Sequence, residues 1–414
     1  MRILIVTWGW PPIGRIGSMR PLGMAREWVE AGCEVHVLTG PGDRGGEYTP
    51  DLEERARRSG AVVHRAAAPG MPPLPVLRPA YEKDVAALVQ RPVSRGRQIL
   101  AQWRTFPGYE RSWISEAREL GLRLQAEHRF DVVWSTSPPE SAHYVSRALA
   151  AAVPWVADFR DQWSEYLLAR WDPLSRWVID GITRRLLSTA TRVTANTLGV
   201  AASIRRACRR EVRCVRNGFD PMPLRTGPVR ERTIGYFGRV DPRMQRPDRL
   251  WPVLRSLRER GRPWRVEFYL SPGGGGGASI RVPADLVDLV ALSPPLPHGE
   301  ALCRMQEMTA LLVLAWETRG GESTVAGKLF EYVGSGRPTL VCAPRGFEAR
   351  ELVETTGTGI GGWDEGELVD AFSRLEWVSV DPGGRESLSR GKAARELLEL
   401  LEQSAHAGPG RRVG

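Results

Sequence analysis

The sequence has little lysine and cysteine and no long apolar run. Its 58 basic residues include only three lysines, a ratio that we attribute to a GC-rich genome. No window approaches the roughly 18 consecutive apolar residues of a membrane-spanning helix, and the apolar start at 1–6 is too short for a signal peptide. The five cysteines show neither zinc-ligand nor disulfide spacing. We therefore expect free, buried thiols and a cytoplasmic protein.

The net charge of +10 favours anionic partners. Nucleotide diphosphates, an acidic membrane face and nucleic acid all carry negative charge. No nucleic-acid-binding motif or basic-aromatic array is present, so we expect no nucleic-acid partner. Peripheral contact with the cytoplasmic face of a membrane stays open.

Two domains are expected, because 414 residues exceed what one hydrophobic core usually supports. Both halves alternate apolar strands with helical patterns, beginning with a strand at 2–7, a helix at 19–31 and a strand at 33–39. Such βαβ units predict parallel sheets with right-handed crossovers. Further strands are predicted at 131–135, 154–158, 193–195, 212–215, 233–237, 265–270, 311–315 and 339–341, and further helices at 138–151, 249–259, 327–334, 367–377 and 387–403.

The domain boundary is predicted in a proline-rich stretch without periodicity. The predicted organisation is a Rossmann-like domain at 1–218, a linker at 219–232, a second Rossmann-like domain at 233–385, a terminal helix at 386–404 that packs back towards the first domain, and a tail at 405–414.

An irregular insertion is predicted at 66–115, where prolines cluster and arginines alternate with aromatic residues. The aromatic residues interleaved with its basic run are Trp103, Phe106, Tyr109 and Trp113. We expect a mobile loop with short helices. This insertion is either a loop at the edge of the site that binds an acceptor or a membrane, or a solvated surface loop without a binding role.

A glycine-containing loop at 8–20 follows the first strand and opens a helix. Backbone N–H groups at such a helix start attract anions, and Gly17 is the candidate residue here. The same pattern also suits an ordinary turn. It is not a dinucleotide-binding fingerprint, since the spacing Gly-x-Gly-x-x-Gly is absent.

A second segment, at 155–163, places Asp158, Arg160 and Asp161 at the end of a predicted strand, where α/β proteins bind ligands. Charged clusters at that edge are costly unless they are used. The alternative is a structural Asp–Arg pair. If the cluster is functional, Asp158 or Asp161 orients a hydroxyl group or accepts its proton.

Two further segments lie in the second half, at 236–246 and 322–338. They read Tyr-Phe-Gly-Arg-Val-Asp-Pro-Arg-Met-Gln-Arg and Glu-Ser-Thr-Val-Ala-Gly-Lys-Leu-Phe-Glu-Tyr-Val-Gly-Ser-Gly-Arg-Pro. The second contains Lys328, one of the three lysines, followed three residues later by Glu331. A surface helix with a Lys–Glu pair at this spacing is the alternative to a functional site.

In order and spacing, these four segments resemble glycosyltransferases of family 4 and its family-4-like branch over nearly the whole chain. The resemblance implies the α/β fold called GT-B, with two Rossmann-like domains facing each other across a cleft. The first domain would bind the acceptor and the second a nucleotide-sugar donor. The expected activity is a hexosyltransferase that retains the anomeric configuration without a metal or other cofactor.

The resemblance also implies roles for single residues. Arg239, with Arg243 or Arg246 in place of the family's lysine, would hold the diphosphate, and Lys328 a donor phosphate. Glu331 would accept hydrogen bonds from the ribose hydroxyls. The family's upstream glutamate falls at Ser323, one residue from Glu322, which is the candidate to replace it. Leu329 completes the predicted donor segment.

A UDP-sugar is the favoured donor, with GDP- and dTDP-sugars as alternatives. An acceptor glycoside, a lipid-linked intermediate and a small natural product are all open as acceptors, and the oligomeric state is unassigned. A nucleotide-sugar 2-epimerase of the same architecture is the enzymatic rival. A catalytically inactive binding subunit is the rival from another class.

Overall fold

The computed structural model describes residues 1–12, 16–42, 50–70, 106–161, 173–225, 227, 229–241, 244–271, 280–318 and 320–411. Most of the predicted insertion, the candidate Arg243 and the last three residues of the predicted tail lie outside these ranges.

The chain divides into two compact units. The first comprises Met1–Arg216 and Ala393–Gly414, and the second comprises Asn217–Lys392. The segment expected to be a linker therefore begins inside the second unit. There Phe219 packs into an apolar core and Asp220 pairs with Arg390, with 2.7 Å between Oδ1 and Nε.

The sheet of the first unit is parallel and has the strand order β3-β2-β1-β4-β5-β6-β7. Its strands are β1 Arg2–Val6, β2 Glu34–Thr39, β3 Val62–Arg65, β4 Val132–Ser137, β5 Trp155–Phe159, β6 Arg192–Ala195 and β7 Arg213–Cys214. Its helices are α1 Ile16–Glu30, α2 Pro50–Arg58, α3 Trp113–His128, α4 Ser141–Leu149, α5 Pro173–Leu186 and α6 Leu198–Cys208.

The sheet of the second unit is also parallel, with the order β10-β9-β8-β11-β12-β13. Its strands are β8 Arg230–Gly238, β9 Arg265–Leu270, β10 Val290–Ser293, β11 Met308–Leu314, β12 Thr339–Cys342 and β13 Gly359–Gly362. Its helices are α7 Leu250–Glu259, α8 His298–Gln306, α9 Gly327–Gly334, α10 Glu348–Thr355, α11 Glu365–Leu375 and α12 Pro382–Ser387.

The last helix, α13, spans Arg390–Ala407. From Ala393 onward it belongs to the first unit, where Leu397 and Leu401 are completely buried in an apolar cluster. The indole N–H of Trp28 on α1 donates to the carbonyl of Ala394, at 3.0 Å.

The predicted α/β fold with two Rossmann-like sheets is confirmed. Both sheets are buried on two faces because helices cover them, so their central strands carry apolar side chains on both faces rather than on one. Strand β9 and helix α9 have the predicted bounds. Helix α3 was not predicted, since its start lies within the segment expected to be irregular.

Two expectations about single residues need correction. Trp113, which was placed in the irregular insertion, is completely buried, and its ring meets that of Trp8 edge to face at 5.6 Å. The cysteines are free as expected, but they are not uniformly buried: Cys208 and Cys342 are, whereas Cys303 is exposed. Among the described residues, no helix is both long and apolar enough to cross a membrane.

The strand order reverses between β1 and β4 in the first sheet and between β8 and β11 in the second. In parallel α/β sheets, ligands bind at the carboxyl ends of the strands beside such a reversal, because the adjoining loops diverge there. Each unit therefore has one position where a ligand is expected.

Candidate functional site

In the first unit, Asp158 lies at the carboxyl end of β5, within the expected region. The neighbouring strands bring Thr136 and Thr194 to the same register position on either side of it. Both hydroxyls donate to the Asp158 carboxylate, at 2.8 and 2.9 Å. Arg20 of α1 donates two further hydrogen bonds to it, at 2.9 and 3.0 Å.

The Asp158 carboxylate is completely buried, and Arg20 is almost so. Burial alone would raise the pKa of Asp158, but the charge and hydrogen bonds of Arg20, with those of the two threonines, hold it below its usual range. Arg20 also donates to the carbonyls of Val215 and Arg216, each at 2.9 Å. Through Arg20, the Asp158 carboxylate thus connects β5 to α1 and to the segment that ends at Arg216. In the sequence, Arg20 is the last residue of the glycine-containing loop at 8–20, and we predicted no role for it.

Arg160 does not pair with Asp158. Its guanidinium donates to the carbonyls of Gly17, of Ser137 at 2.9 Å and of Pro138 at 2.6 Å. A Cβ on Gly17 would lie 2.9 Å from this guanidinium, so only glycine fits at that position without movement. Arg160 therefore fixes the start of α1 against the loop that follows β4.

Asp161 differs from Asp158 in having no hydrogen-bond partner among the described residues. Burial raises the pKa of its carboxyl, and the nearby Arg160 offsets this in part. Sequence reasoning left Asp158 and Asp161 as equal candidates for handling a hydroxyl proton. The geometry favours Asp161, because its oxygens are not engaged by buried donors.

A further acidic residue, Glu140, lies beside this pair and was not singled out from the sequence. It precedes the first residue of α4 and is 93% buried, since its exposed fraction is 7%. Burial raises its pKa to about 8, and the charges of Asp161 and Glu110 act in the same direction. Close by in sequence, the buried hydroxyls of Ser137 and Ser141 have no partner among the described residues. The carboxyl edge of β4 and β5 thus carries polar groups that are available to a ligand.

In the second unit, Lys328 is the second residue of α9. Its ammonium group is buried and has no hydrogen-bond partner among the described residues. It lies 3.8 Å from the centroid of the Tyr236 ring of β8, a cation–π contact. Burial lowers the pKa of Lys328 to about 7, although the charge of Glu331 raises it.

The loop after β8 is shaped around this lysine. Gly238 has a φ of 116°, a backbone conformation that favours glycine. A Cβ at this position would also lie 3.2 Å from the Lys328 ammonium, so the close approach of the lysine favours glycine as well. The Tyr236 hydroxyl donates to the carbonyl of Arg239, at 2.6 Å. Gln245 donates to that hydroxyl at 3.3 Å and to the Leu314 carbonyl of β11 at 2.9 Å. These bonds hold the loop where the strand order reverses.

Arg239 follows Gly238 directly, so it begins the loop after β8, next to the glycine that lies beside the Lys328 ammonium. Its guanidinium is about half exposed and lies 3.8 Å from Asp241. Arg246 is also half exposed, but it forms a bidentate pair with Asp248, with nitrogen–oxygen distances of 2.7 and 2.9 Å. Of the two predicted phosphate-binding arginines that the structure describes, Arg239 is therefore the better placed.

Glu331 lies one turn after Lys328 on α9, and its carboxylate is 3.9 Å from the His298 ring. Glu322 lies in the preceding short 3-10 turn and accepts a hydrogen bond from the Gly320 N–H, at 2.9 Å. Leu329 is completely buried, and its N–H donates to the Ala326 carbonyl. A role for Leu329 is thus to anchor α9 rather than to contact a ligand through its side chain.

The comparisons agree with this architecture. Residues 18–218 match the family described as glycosyl transferase 4-like domain. A glycosyltransferase from Rickettsia africae has a similar structure, with a TM-score of 0.62 and 11% identity over 97% of this chain and 98% of that one. Sucrose-phosphate synthase from Thermosynechococcus elongatus is similar with a TM-score of 0.59 and 15% identity over the same shares. Sequence comparison with curated proteins gives no significant match.

The fold is therefore that of a GT-B glycosyltransferase. Residues 18–218 therefore form a glycosyl transferase 4-like domain, as the resemblance predicted, and the fold of the whole chain is similar to that of these solved structures.

Proposed function

We propose that the chain transfers a sugar from a nucleotide-activated donor to an acceptor hydroxyl, with the donor diphosphate bound by the second unit. The observation that carries this proposal is the Lys328 ammonium. It is buried without a hydrogen-bond partner among the described residues, at the carboxyl edge where a ligand is expected. An unpaired buried cation is costly, and an anionic ligand would remove that cost.

The donor site would combine the Lys328 ammonium with the Arg239 guanidinium. In the reaction, the bond from the anomeric carbon to the donor phosphate breaks, and its electron pair goes to the nucleoside diphosphate. Both cations stabilise the charge that develops on this leaving group, without requiring a metal. Glu331, which lies one turn after Lys328 on α9 and is partly exposed, would accept hydrogen bonds from the ribose hydroxyls.

The first unit would bind the acceptor, with Asp161 holding the reacting hydroxyl and accepting its proton as the new glycosidic bond forms. A carboxyl whose pKa is raised by burial is a better base near neutral pH than an ordinary aspartate. Asp158 and Arg160 then act as positioning residues, since their bonds fix α1, β4 and β5 around Asp161. Following the family resemblance, we propose retention of the anomeric configuration and a UDP-sugar as the donor.

A thermal-shift panel of nucleoside diphosphates and nucleotide-sugars tests the donor assignment. Ligands that bind only the folded chain raise its melting temperature by mass action. We expect stabilisation by one nucleotide series, and its loss in Lys328→Met but not in Lys392→Met, which removes an exposed lysine on α13. Stabilisation that is equal in both variants would contradict the assignment.

The stabilising nucleotide-sugar is then incubated with the chain and a panel of glycoside, lipid-linked and small natural-product acceptors. The proposal predicts a glycosylated product and release of the nucleoside diphosphate in equal amounts. Conversion of the sugar to its C2 epimer without an acceptor would identify an epimerase instead. Binding without any turnover would identify a binding subunit.

A further inference from the structure

Three of the six histidines in the sequence meet in the first unit, although they lie on separate segments. His36 is on β2, His64 is on β3 and His128 is the last residue of α3. One ring nitrogen from each lies within 4.8 Å of the others. The spacing of these residues along the chain follows no metal-binding motif, so the sequence alone did not indicate the cluster.

The sheet register explains how the first two histidines meet. His36 pairs with Val62, and His64 pairs with Leu38 two positions later on β2, so both side chains point to the same face. Nδ1 of His36 lies 2.9 Å from Nε2 of His64. Helix α3 ends over this face, and the His128 ring centroid is 4.3 Å from that of His36.

Glu34 prepares His36 to act as a ligand. Its Oε1 lies 3.1 Å from Nε2 of His36, while its Oε2 accepts a hydrogen bond from Arg2 at 3.0 Å. An ionised carboxylate accepts only, so Nε2 of His36 carries the proton and Nδ1 presents a lone pair towards the other rings. A carboxylate behind a histidine is a common arrangement around metal ions, because it fixes the tautomer of the ligand.

The His128 ring also has a carboxylate beside it. Glu127 supplies a further carboxylate, 3.7 Å from Nε2 of His128. A direct hydrogen bond between the His36 and His64 rings would account for those two residues. That hydrogen bond does not explain why the His128 ring lies beside the other two.

We propose that His36, His64 and His128 bind one divalent transition-metal ion of the Zn²⁺ type. Imidazole nitrogens bind Zn²⁺ at 2.0–2.1 Å, so those of a tetrahedral shell lie about 3.4 Å apart. The present separations of 2.9 Å and up to 4.8 Å bracket this value, and small rotations of the rings would reach it. A water molecule would take the fourth position.

Such an ion would connect three separate elements of the first unit. It would join the edge strand β3 and the end of α3 to β2. Glu34, which contacts His36, and its partner Arg2 are the first residues of β2 and β1, whereas Asp158 and Asp161 lie at and after the carboxyl end of β5. The metal proposal is therefore independent of the proposed transferase reaction.

Titration of the metal-free full chain with Co²⁺ tests the proposal, because bound Co²⁺ reports its ligands through visible absorption bands. We expect one Co²⁺ per chain, displaced by Zn²⁺, in the wild type and in His406→Gln, which alters an exposed histidine on α13. His64→Gln and His128→Gln should lose the bands. Glu34→Gln should weaken binding about 10- to 100-fold, as loss of an orienting partner does elsewhere.

Absence of stoichiometric binding to the wild type would overturn the proposal, as would binding that survives both histidine substitutions. If a variant fails to fold, X-ray absorption at the zinc edge of the loaded wild type still decides the matter. Three imidazole nitrogens are expected in the first shell. Sulfur ligation would assign the ion to the free cysteines instead.

Discussion

The buried ammonium of Lys328 predicts that donor affinity falls as the pH rises through neutrality. Its pKa in the free chain is about 7, lowered by burial. A bound diphosphate supplies the missing negative charge and restores the pKa above the range tested. Binding therefore requires the protonated lysine, and above pH 7 an increasing fraction of the free chain must take up a proton first.

The magnitude follows from the fraction of Lys328 that is protonated. With a pKa of about 7, this fraction falls from about nine-tenths at pH 6 to about 3% at pH 8.5. The dissociation constant should then rise about 30-fold, which corresponds to about 2 kcal/mol. In Lys328→Met the affinity should be weak throughout and nearly independent of pH.

Isothermal titration calorimetry with the intact nucleotide-sugar measures this effect. The sugar ester is preferred to the free diphosphate because its phosphates do not titrate in this range. His298, which lies near Glu331, is the group most able to mimic the effect, so His298→Gln is the control and should keep the pH dependence. An affinity that is constant from pH 6 to 8.5 would refute the reasoning, as would an unchanged pH dependence in Lys328→Met.

Four further predictions concern acidic residues. Glu331→Gln should weaken donor binding by about 1.5–3 kcal/mol in calorimetry, since a charged acceptor for ribose hydroxyls is lost, whereas the exposed Glu402→Gln on α13 should not. Asp161→Asn should lower kcat about 100- to 10,000-fold with little change in donor affinity. Asp158→Asn should lower the free energy of unfolding by about 3–5 kcal/mol, because it breaks a buried ion pair. Glu140→Gln should remove a decline in the free energy of unfolding of about 1.4 kcal/mol per pH unit, measured by denaturant titration between about pH 4.5 and 8.

The sign of the Glu140 effect follows from its raised pKa. Between pH 4.5 and about 8 the folded chain keeps a proton that the unfolded chain releases, so this stability is complete below pH 4.5 and lost as the pH rises. If the free energy of unfolding had the same pH dependence in the wild type and in Glu140→Gln, the prediction for Glu140 would be contradicted. Full activity of Asp161→Asn would remove that residue from the reaction. An unchanged stability of Asp158→Asn would contradict its anchoring role, and unchanged donor affinity of Glu331→Gln would remove it from the donor site.

The alternation of strands and helices was predictable because it depends on local patterns. Short apolar runs bounded by glycine and proline indicated both sheets, and α9 was located with its observed ends. Helix α3 was missed because its start follows a proline-rich, basic stretch that favours a loop. The burial of Trp113 against Trp8 likewise depends on tertiary packing that no local pattern records.

The candidate site was predictable in its residue types but not in its pairings. The sequence placed Asp158, Arg160 and Asp161 at one strand end, yet Arg20, the partner of Asp158, is 138 residues away. The rarity of lysine drew attention to Lys328, but its burial depends on Tyr236 and Gly238 of another strand. The histidine cluster was missed for the same reason, since the sheet register creates it.

A crystal structure of the chain with its nucleoside diphosphate bound tests the central claim most directly. The account predicts a phosphate oxygen at about 2.7–2.9 Å from the Lys328 ammonium, the distance of a charge-assisted hydrogen bond. It also predicts a second contact from the Arg239 guanidinium. A diphosphate bound elsewhere, with the Lys328 ammonium still buried against Tyr236 and without an anionic partner, would contradict the account.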